Sequence, residues 1–185
     1  MNGSDAHAAK ILFDREVSAE TIAEWTAQTA APKPARQAAR QGALLVRAGK
    51  EWIALPTAIV ESARPAGPVH SVPHMTSQAF LGLANVDGEL LPCVSLAALA
   101  GGEPESVPAR ARLITVNVPE GRFALLADEA LGTCGFDPEA ASPPPDTVAR
   151  SPHPLVTAMA ELEGRTAGIV DTESLGRALA RSLRP

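Results

Sequence analysis

Residues 80–96 read Phe80-Leu81-Gly82-Leu83-Ala84-Asn85-Val86-Asp87-Gly88-Glu89-Leu90-Leu91-Pro92-Cys93-Val94-Ser95-Leu96. Two apolar-rich segments, 81–86 and 89–96, flank Asp87-Gly88. That dipeptide tolerates the positive φ angles of a two-residue hairpin turn. Asn85 stands just before the turn, where its side chain is expected to hydrogen-bond nearby backbone and shape the hairpin. Direct contact with a partner is the alternative role for Asn85.

The same pattern recurs outward along the chain. Segments 44–46 and 52–55 flank Gly49-Lys50, segments 113–118 and 123–127 flank Pro119-Glu120-Gly121, and segments 158–162 and 166–170 flank Glu163-Gly164-Arg165. Short strands at this spacing predict a mainly β barrel or sandwich. Pro and Gly are dense at 64–73, 101–108 and 138–154, which read as connecting loops. Residues 172–183 read as a helix with Asp171 as N-cap and Leu175, Leu179 and Leu183 on one side. Its Arg177, Arg181 and Arg184 are expected in solvent near the C-terminal end, where the helix dipole favours cations.

The chain also repeats itself. Residues 85–95 align with 161–171: an acid and a Gly make each turn, Pro92 or Gly168 breaks the next strand, and Val94 or Val170 follows. Leu99 and Leu175 each fall five residues after that Val. Upstream, Gly49-Lys50 before Trp52 and Leu55 resembles Gly121-Arg122 before Phe123 and Leu126. The repeat predicts two similar five-stranded barrels, 44–100 and 112–171, related by a pseudo-twofold. Alone each would be marginal, so they are expected to share a core.

Residues 1–43 read as an N-terminal extension. Ser18 caps an expected helix over 19–30 with Ile22, Trp25, Thr26 and Thr29 on one face, and Pro32 and Pro34 stop it. A linker follows over 33–41. The helix either docks on a barrel through Ile22 and Trp25 or is a loose appendage.

Composition narrows the function. The 185 residues carry 16 Lys+Arg against 21 Asp+Glu, a net charge of −5. That balance counts against nucleic acid and against an anionic membrane surface as partners. Two Cys make no disulfide framework, and no signal peptide or transmembrane segment is evident, so a cytoplasmic location is expected. With six aromatic residues, four Phe and two Trp, stacking platforms for bases or sugars are not expected.

The 80–96 motif resembles the signature of the CheW family, the coupling proteins of bacterial chemotaxis arrays. That signature runs Gly, two apolar positions, Asn, an apolar residue, Arg, Gly, then an apolar-Pro-apolar-apolar strand ending in Asp-Leu. Trp52-Ile53-Ala54-Leu55-Pro56, Val72-Pro73, Gly164-Arg165 and Gly168-Ile169-Val170-Asp171 resemble further family segments in the same order, so the likeness spans about 44–183. A narrower resemblance is to Wsp-type coupling proteins, in Ile11-Leu12-Phe13-Asp14-Arg15, Ala23-Glu24-Trp25-Thr26, Glu51-Trp52-Ile53-Ala54-Leu55-Pro56-Thr57 and Val69-His70-Ser71-Val72-Pro73-His74; the Cys-rich lead of some of that subgroup is missing. Those proteins serve a receptor–kinase system with a cyclic-di-GMP-producing output.

The resemblance implies two linked five-stranded SH3-like barrels, no catalysis and no cofactor. It implies two partners: the regulatory domain of a CheA-type histidine kinase and the cytoplasmic tip of a chemoreceptor. The candidate partner-binding residues are Asn85, Val86, Asp87, Gly88 and Glu89. Two departures matter. Asp87 stands where the family has Arg, and Ser95 where it has Asp. A reversal from plus to minus at an exposed turn is expected either to redirect partner choice or to impair coupling.

Competing chemistry is thin. His70 and His74 have an H-x3-H spacing, but Pro73 lies inside it and opposes a helix, and no Cys, Asp or Glu follows within a few residues. Cys93 and Cys134 read as buried thiols rather than nucleophiles. Asp128-Glu129 read as strand-end carboxylates with no second catalytic group nearby. The sequence therefore predicts a non-enzymatic adaptor with no metal. The alternatives are a small-ligand-binding β-barrel protein, or a modulator that binds the kinase without receptors.

Overall fold

The computed structural model describes residues 41–75, 77–102, 108–146 and 154–184. The expected helix over 19–30, its docking through Ile22 and Trp25, and the linker up to residue 40 lie outside the described residues. Gln41 already belongs to the first strand, so 41–43 are part of the β domain rather than of an extension ending at 43.

All four expected hairpins form. They are β1 (Gln41–Ala48) with β2 (Glu51–Pro56), β5 (Phe80–Val86) with β6 (Glu89–Ser95), β7 (Arg112–Val118) with β8 (Gly121–Ala127), and β10 (Val156–Leu162) with β11 (Arg165–Val170). Each turn has two residues, so Gly121 and Arg165 open strands instead of closing turns. The turn backbones repeat: Asp87 and Gly88 have φ of 53° and 89°, and Glu163 and Gly164 have 49° and 71°. Positive φ at both central residues is the hairpin geometry that matches strand twist.

Three strands and a one-turn helix add to the expected elements. β3 (Val60–Pro65) alternates half-buried and exposed residues, a period-2 pattern within a polar, Pro-ended stretch. β4 (Val69–His70) takes two residues from a stretch expected to be loop. β9 (Glu129–Phe136) carries Gly132 and Gly135, which weaken the strand signal. α1 (Leu96–Leu99) follows β6 directly, and α2 (Thr172–Ser182) follows β11.

Strand pairing overturns the expected division into 44–100 and 112–171. One sheet has the order β10-β11-β2-β1-β9, and the other β3-β7-β8-β6-β5-β4. Each sheet therefore takes its first hairpin from one half of the repeat and its remaining strands from the other half. The pseudo-twofold survives this exchange. β10-β11-β2-β1-β9 corresponds to β5-β6-β8-β7-β3, and Ile169 pairs with Ala54 as Cys93 pairs with Ala124, both in parallel register. The upstream alignment shifts with it: Ala48 faces Glu51 and Val118 faces Gly121, so Ile53, and not Trp52, is the equivalent of Phe123.

Each sheet curls back towards itself. In the first, Ser142 beyond β9 exchanges two backbone hydrogen bonds with Met159 of β10, at 2.8 and 2.7 Å. In the second, the outer strands β3 and β4 are joined by only residues 66–68. The second barrel thus has a short sixth strand where five were expected.

The consecutive buried run Ala43-Leu44-Leu45-Val46 follows from this architecture, because both faces of β1 are covered. Ala43 and Leu45 pack inside the first barrel with Ala54, Phe136, Leu162, Ala167 and Ile169. Leu44 and Val46 face the second barrel and join Val94, Ile114, Val116, Phe123 and Leu125 in one shared core. The interior of the second barrel holds Ala84, Val86, Leu91, Cys93, Leu113 and Ala124. α2 contributes Leu175 and Leu179, both fully buried in the shared core. The shared core is what lets two small barrels persist, since neither could bury enough apolar surface alone.

Candidate functional site

The β5–β6 turn displays the candidate residues unequally. Asn85 Oδ1 accepts a hydrogen bond from the Gly88 amide at 2.9 Å, so the side chain closes the turn as expected. Val86 is 4% exposed and packs inside the second barrel. Its side chain is therefore turned inward, beneath the turn that the other candidates display. Strand alternation is the reason: Asn85 and Val86 must point to opposite faces. Asp87, Gly88 and Glu89 are exposed, and so is Leu90 at 58%.

Asp87 is not a free acid. Arg64, on β3, donates from Nη1 to Asp87 Oδ1 and from Nη2 to Oδ2, each at 2.8 Å. This fork matches the planar guanidinium to the carboxylate. Arg64 Nη2 also donates to Ser62 Oγ at 3.3 Å, and Ser62 Oγ donates to the buried Thr115 Oγ1 at 3.2 Å. The Arg64 hydrogen bonds and charge hold the Asp87 carboxyl below its usual range. The Asp87 partner in turn raises the Arg64 guanidinium further above its own.

A second charge group lies beside the first. Arg122, on β8, donates through Nε and Nη2 to Glu61 and through Nη1 to Glu89. Its Nη2 lies 2.6 Å from Glu61 Oε2. The Glu61 hydrogen bond is the largest influence raising the Arg122 pKa. Glu61 and Arg64 carry no motif in the sequence and Arg122 enters it only as part of the repeat, because only the tertiary fold brings β3, β8 and the β5–β6 turn together.

The pseudo-twofold places a different pair at the matching end of the first barrel. Arg165 opens β11 as Glu89 opens β6, and Trp52 sits where Arg122 sits. The Arg165 guanidinium lies 4.7 Å from the Trp52 ring centroid, a cation–π contact in place of an ion pair. The two barrel ends thus share a backbone frame but not a surface chemistry.

The Ser95 departure is conservative in structure. Ser95 caps α1 by accepting from the Ala98 amide at 3.2 Å, as Asp171 caps α2 by accepting from Ser174 at 2.8 Å. A hydroxyl and a carboxylate both serve this position well.

The residues considered for catalysis or metal binding have structural partners or lie apart. Asp128 links β8 to β9, and its carboxylate accepts from the Gly49 amide at 2.6 Å, tying the β1–β2 turn to the crossover. Glu129 opens β9 and pairs with Arg47 at 3.5 Å and Arg110 at 3.7 Å. His70 lies in β4 rather than in a loop, and His74 follows at a positive φ of 68°. Among the described residues no group of three or more His, Cys, Asp or Glu is placed to hold a metal ion. Cys93 is buried, and desolvation pushes its thiol pKa up to about 12. Cys134 is half-buried and is raised by burial and by the charge of Glu163. An open cavity of about 370 Å³ lies between the end of β9 and β10, lined by Phe136, Ser142, Met159 and Glu161 among others.

No helix among the described residues is long and apolar enough to cross a membrane. No curated protein matches this sequence. Among solved structures, the chain is similar to the scaffolding protein TtCheW from Thermoanaerobacter tengcongensis. The TM-score is 0.63 at 17% identity, covering 71% of this chain and 89% of that one. At that identity the likeness establishes the fold. Residues 42–180 match the CheW-like domain, nearly the whole β structure from β1 into α2. The chain therefore belongs to the CheW-like domain family.

Proposed function

We propose that this chain is a non-catalytic scaffold of bacterial chemosensory signalling, working in the cytoplasm. It joins the regulatory domain of a CheA-type histidine kinase to the cytoplasmic tip of a chemoreceptor. The observation that carries the reading is the family match over 42–180 on a double barrel with an exposed polar hairpin end. A hairpin turn that Asn85 already ties to the Gly88 amide suits protein recognition, because less ordering entropy is lost on docking. Asn85, Asp87, Gly88 and Glu89 form the candidate contact set, with Val86 anchoring the turn from below. The narrower reading is a Wsp-like system, supported by the resemblance of 51–57 and 69–74 to that subgroup.

Co-purification with the regulatory domain of a kinase from the same genome tests this, run alone and with a receptor-tip fragment. The expected result is a complex containing all three. Binding to the kinase alone would make the protein a modulator that occupies kinase sites without recruiting receptors. Binding to neither would overturn the scaffold reading.

A further inference from the structure

The charge at the β5–β6 turn is more nearly cancelled than its residue types suggest. Asp87 is 77% exposed, yet both of its oxygens are engaged by Arg64. Glu89 is engaged by Arg122, which Glu61 holds from the other side. Arg64 is itself fixed, through Ser62, to the buried Thr115. Next in the chain after Glu89, on the outward face of β6, stands Leu90, the most exposed large apolar side chain among the described residues. Leu90 faces Asn85 across the strand pair, and Pro92 faces Leu83, so the outward strip of β5–β6 is largely uncharged.

We propose that Arg64 is a specificity-determining residue: by masking the Asp87 carboxylate it lets the turn dock an uncharged partner surface, with Leu90 entering an apolar socket. This rests on the scaffold reading above and names the chemistry of the partner at that site. A bare carboxylate at the rim would have to be desolvated against such a surface, and a bare guanidinium likewise. The closed pair avoids both costs, because each charge keeps its hydrogen-bonding partner when water leaves.

The test is a binding titration of the full chain with the kinase regulatory domain at several salt concentrations. The proteins are wild type, Arg64→Met, Asp87→Asn and the double variant. Each single variant leaves one unmasked charge, of opposite sign. Each is expected to bind about tenfold more weakly, and the two salt dependences are expected to shift in opposite directions. The double variant carries no charge at this pair, leaves the Glu61–Arg122–Glu89 group as in wild type, and is expected to return to within about threefold of wild type. A purely structural role for the pair would shift both salt slopes alike and would give no rescue. A single variant that binds as well as wild type, or a double variant no better than the singles, overturns the proposal while leaving the scaffold reading in place. Absence of any wild-type binding to the kinase overturns both.

Discussion

A Cβ placed on Gly82 would lie 2.1 Å from the carbonyl oxygen of His70. Gly82 has φ of 132° and sits at a register shift in β5, where β4 crosses against it. The obstacle is backbone, and the angle disfavours any L side chain, so both space and conformation require glycine. Gly82→Ala is expected to lower stability by more than about 1 kcal/mol and to detach β4 from β5. Denaturant unfolding checks the first effect. Loss of amide-exchange protection at residues 83–84 checks the second, and unchanged stability would sink the argument.

Gly176 makes the contrast. Its nearest obstacle is the Glu120 carboxylate, 1.8 Å from an ideal Cβ, which is the tip of a flexible, exposed side chain. Gly176 lies inside α2, where glycine costs about 0.5–1 kcal/mol relative to alanine. Gly176→Ala is expected to raise stability by about that amount, with Glu120 swinging aside. Calorimetric melting of the variant, alone and combined with Glu120→Ala, measures it; a lowered Tm rescued by Glu120→Ala would mean that Glu120 cannot move.

The Arg64–Asp87 pair has a pH signature. Arg64 holds the native Asp87 pKa below the ordinary value of 3.8. Its stabilisation is therefore fully present above the unfolded-state pKa and is lost as pH falls through the lowered native pKa. Melting curves of wild type and Asp87→Asn, taken from about pH 7 down to about pH 2, are expected to differ above about pH 4 and to converge in acid. A constant gap across that range would contradict the assignment.

Leu175 and Leu90 separate folding from docking. Leu175 is fully buried in the core shared by both barrels, so Leu175→Ala is expected to cost about 2–5 kcal/mol. Leu90 stands in solvent, and Leu90→Ala is expected to change stability by less than about 0.5 kcal/mol. Equilibrium unfolding of both variants decides this, and a large loss for Leu90→Ala would show that its side chain packs on the barrel.

Much of the local structure was legible in the amino-acid order. Asp87-Gly88 and Glu163-Gly164 announce their turns because few residue pairs accept two positive φ angles in succession. Asp171 announces α2 because its carboxylate satisfies an otherwise unpaired amide. Asn85 was read correctly as a turn-shaping residue for the same kind of reason. β3 and β9 were not legible, the first for its polar and proline content and the second for its two glycines. The inward side chain of Val86 is legible in the alternation along 83–86.

Turns, caps and the internal repeat were thus determined by the sequence itself, since each depends on residues within a few positions of one another. Tertiary structure alone decided which hairpin pairs with which. A parallel contact such as Ile169 with Ala54 joins segments over a hundred residues apart, and nothing in either segment names the other. The exchange of strands between the halves follows from burying both faces of β1 and β7 at once, a property of the whole core. The same closure carries Arg64 to Asp87 and Arg122 to Glu61 and Glu89. The surface chemistry of the turn was therefore decided by long-range geometry, while its shape was written locally.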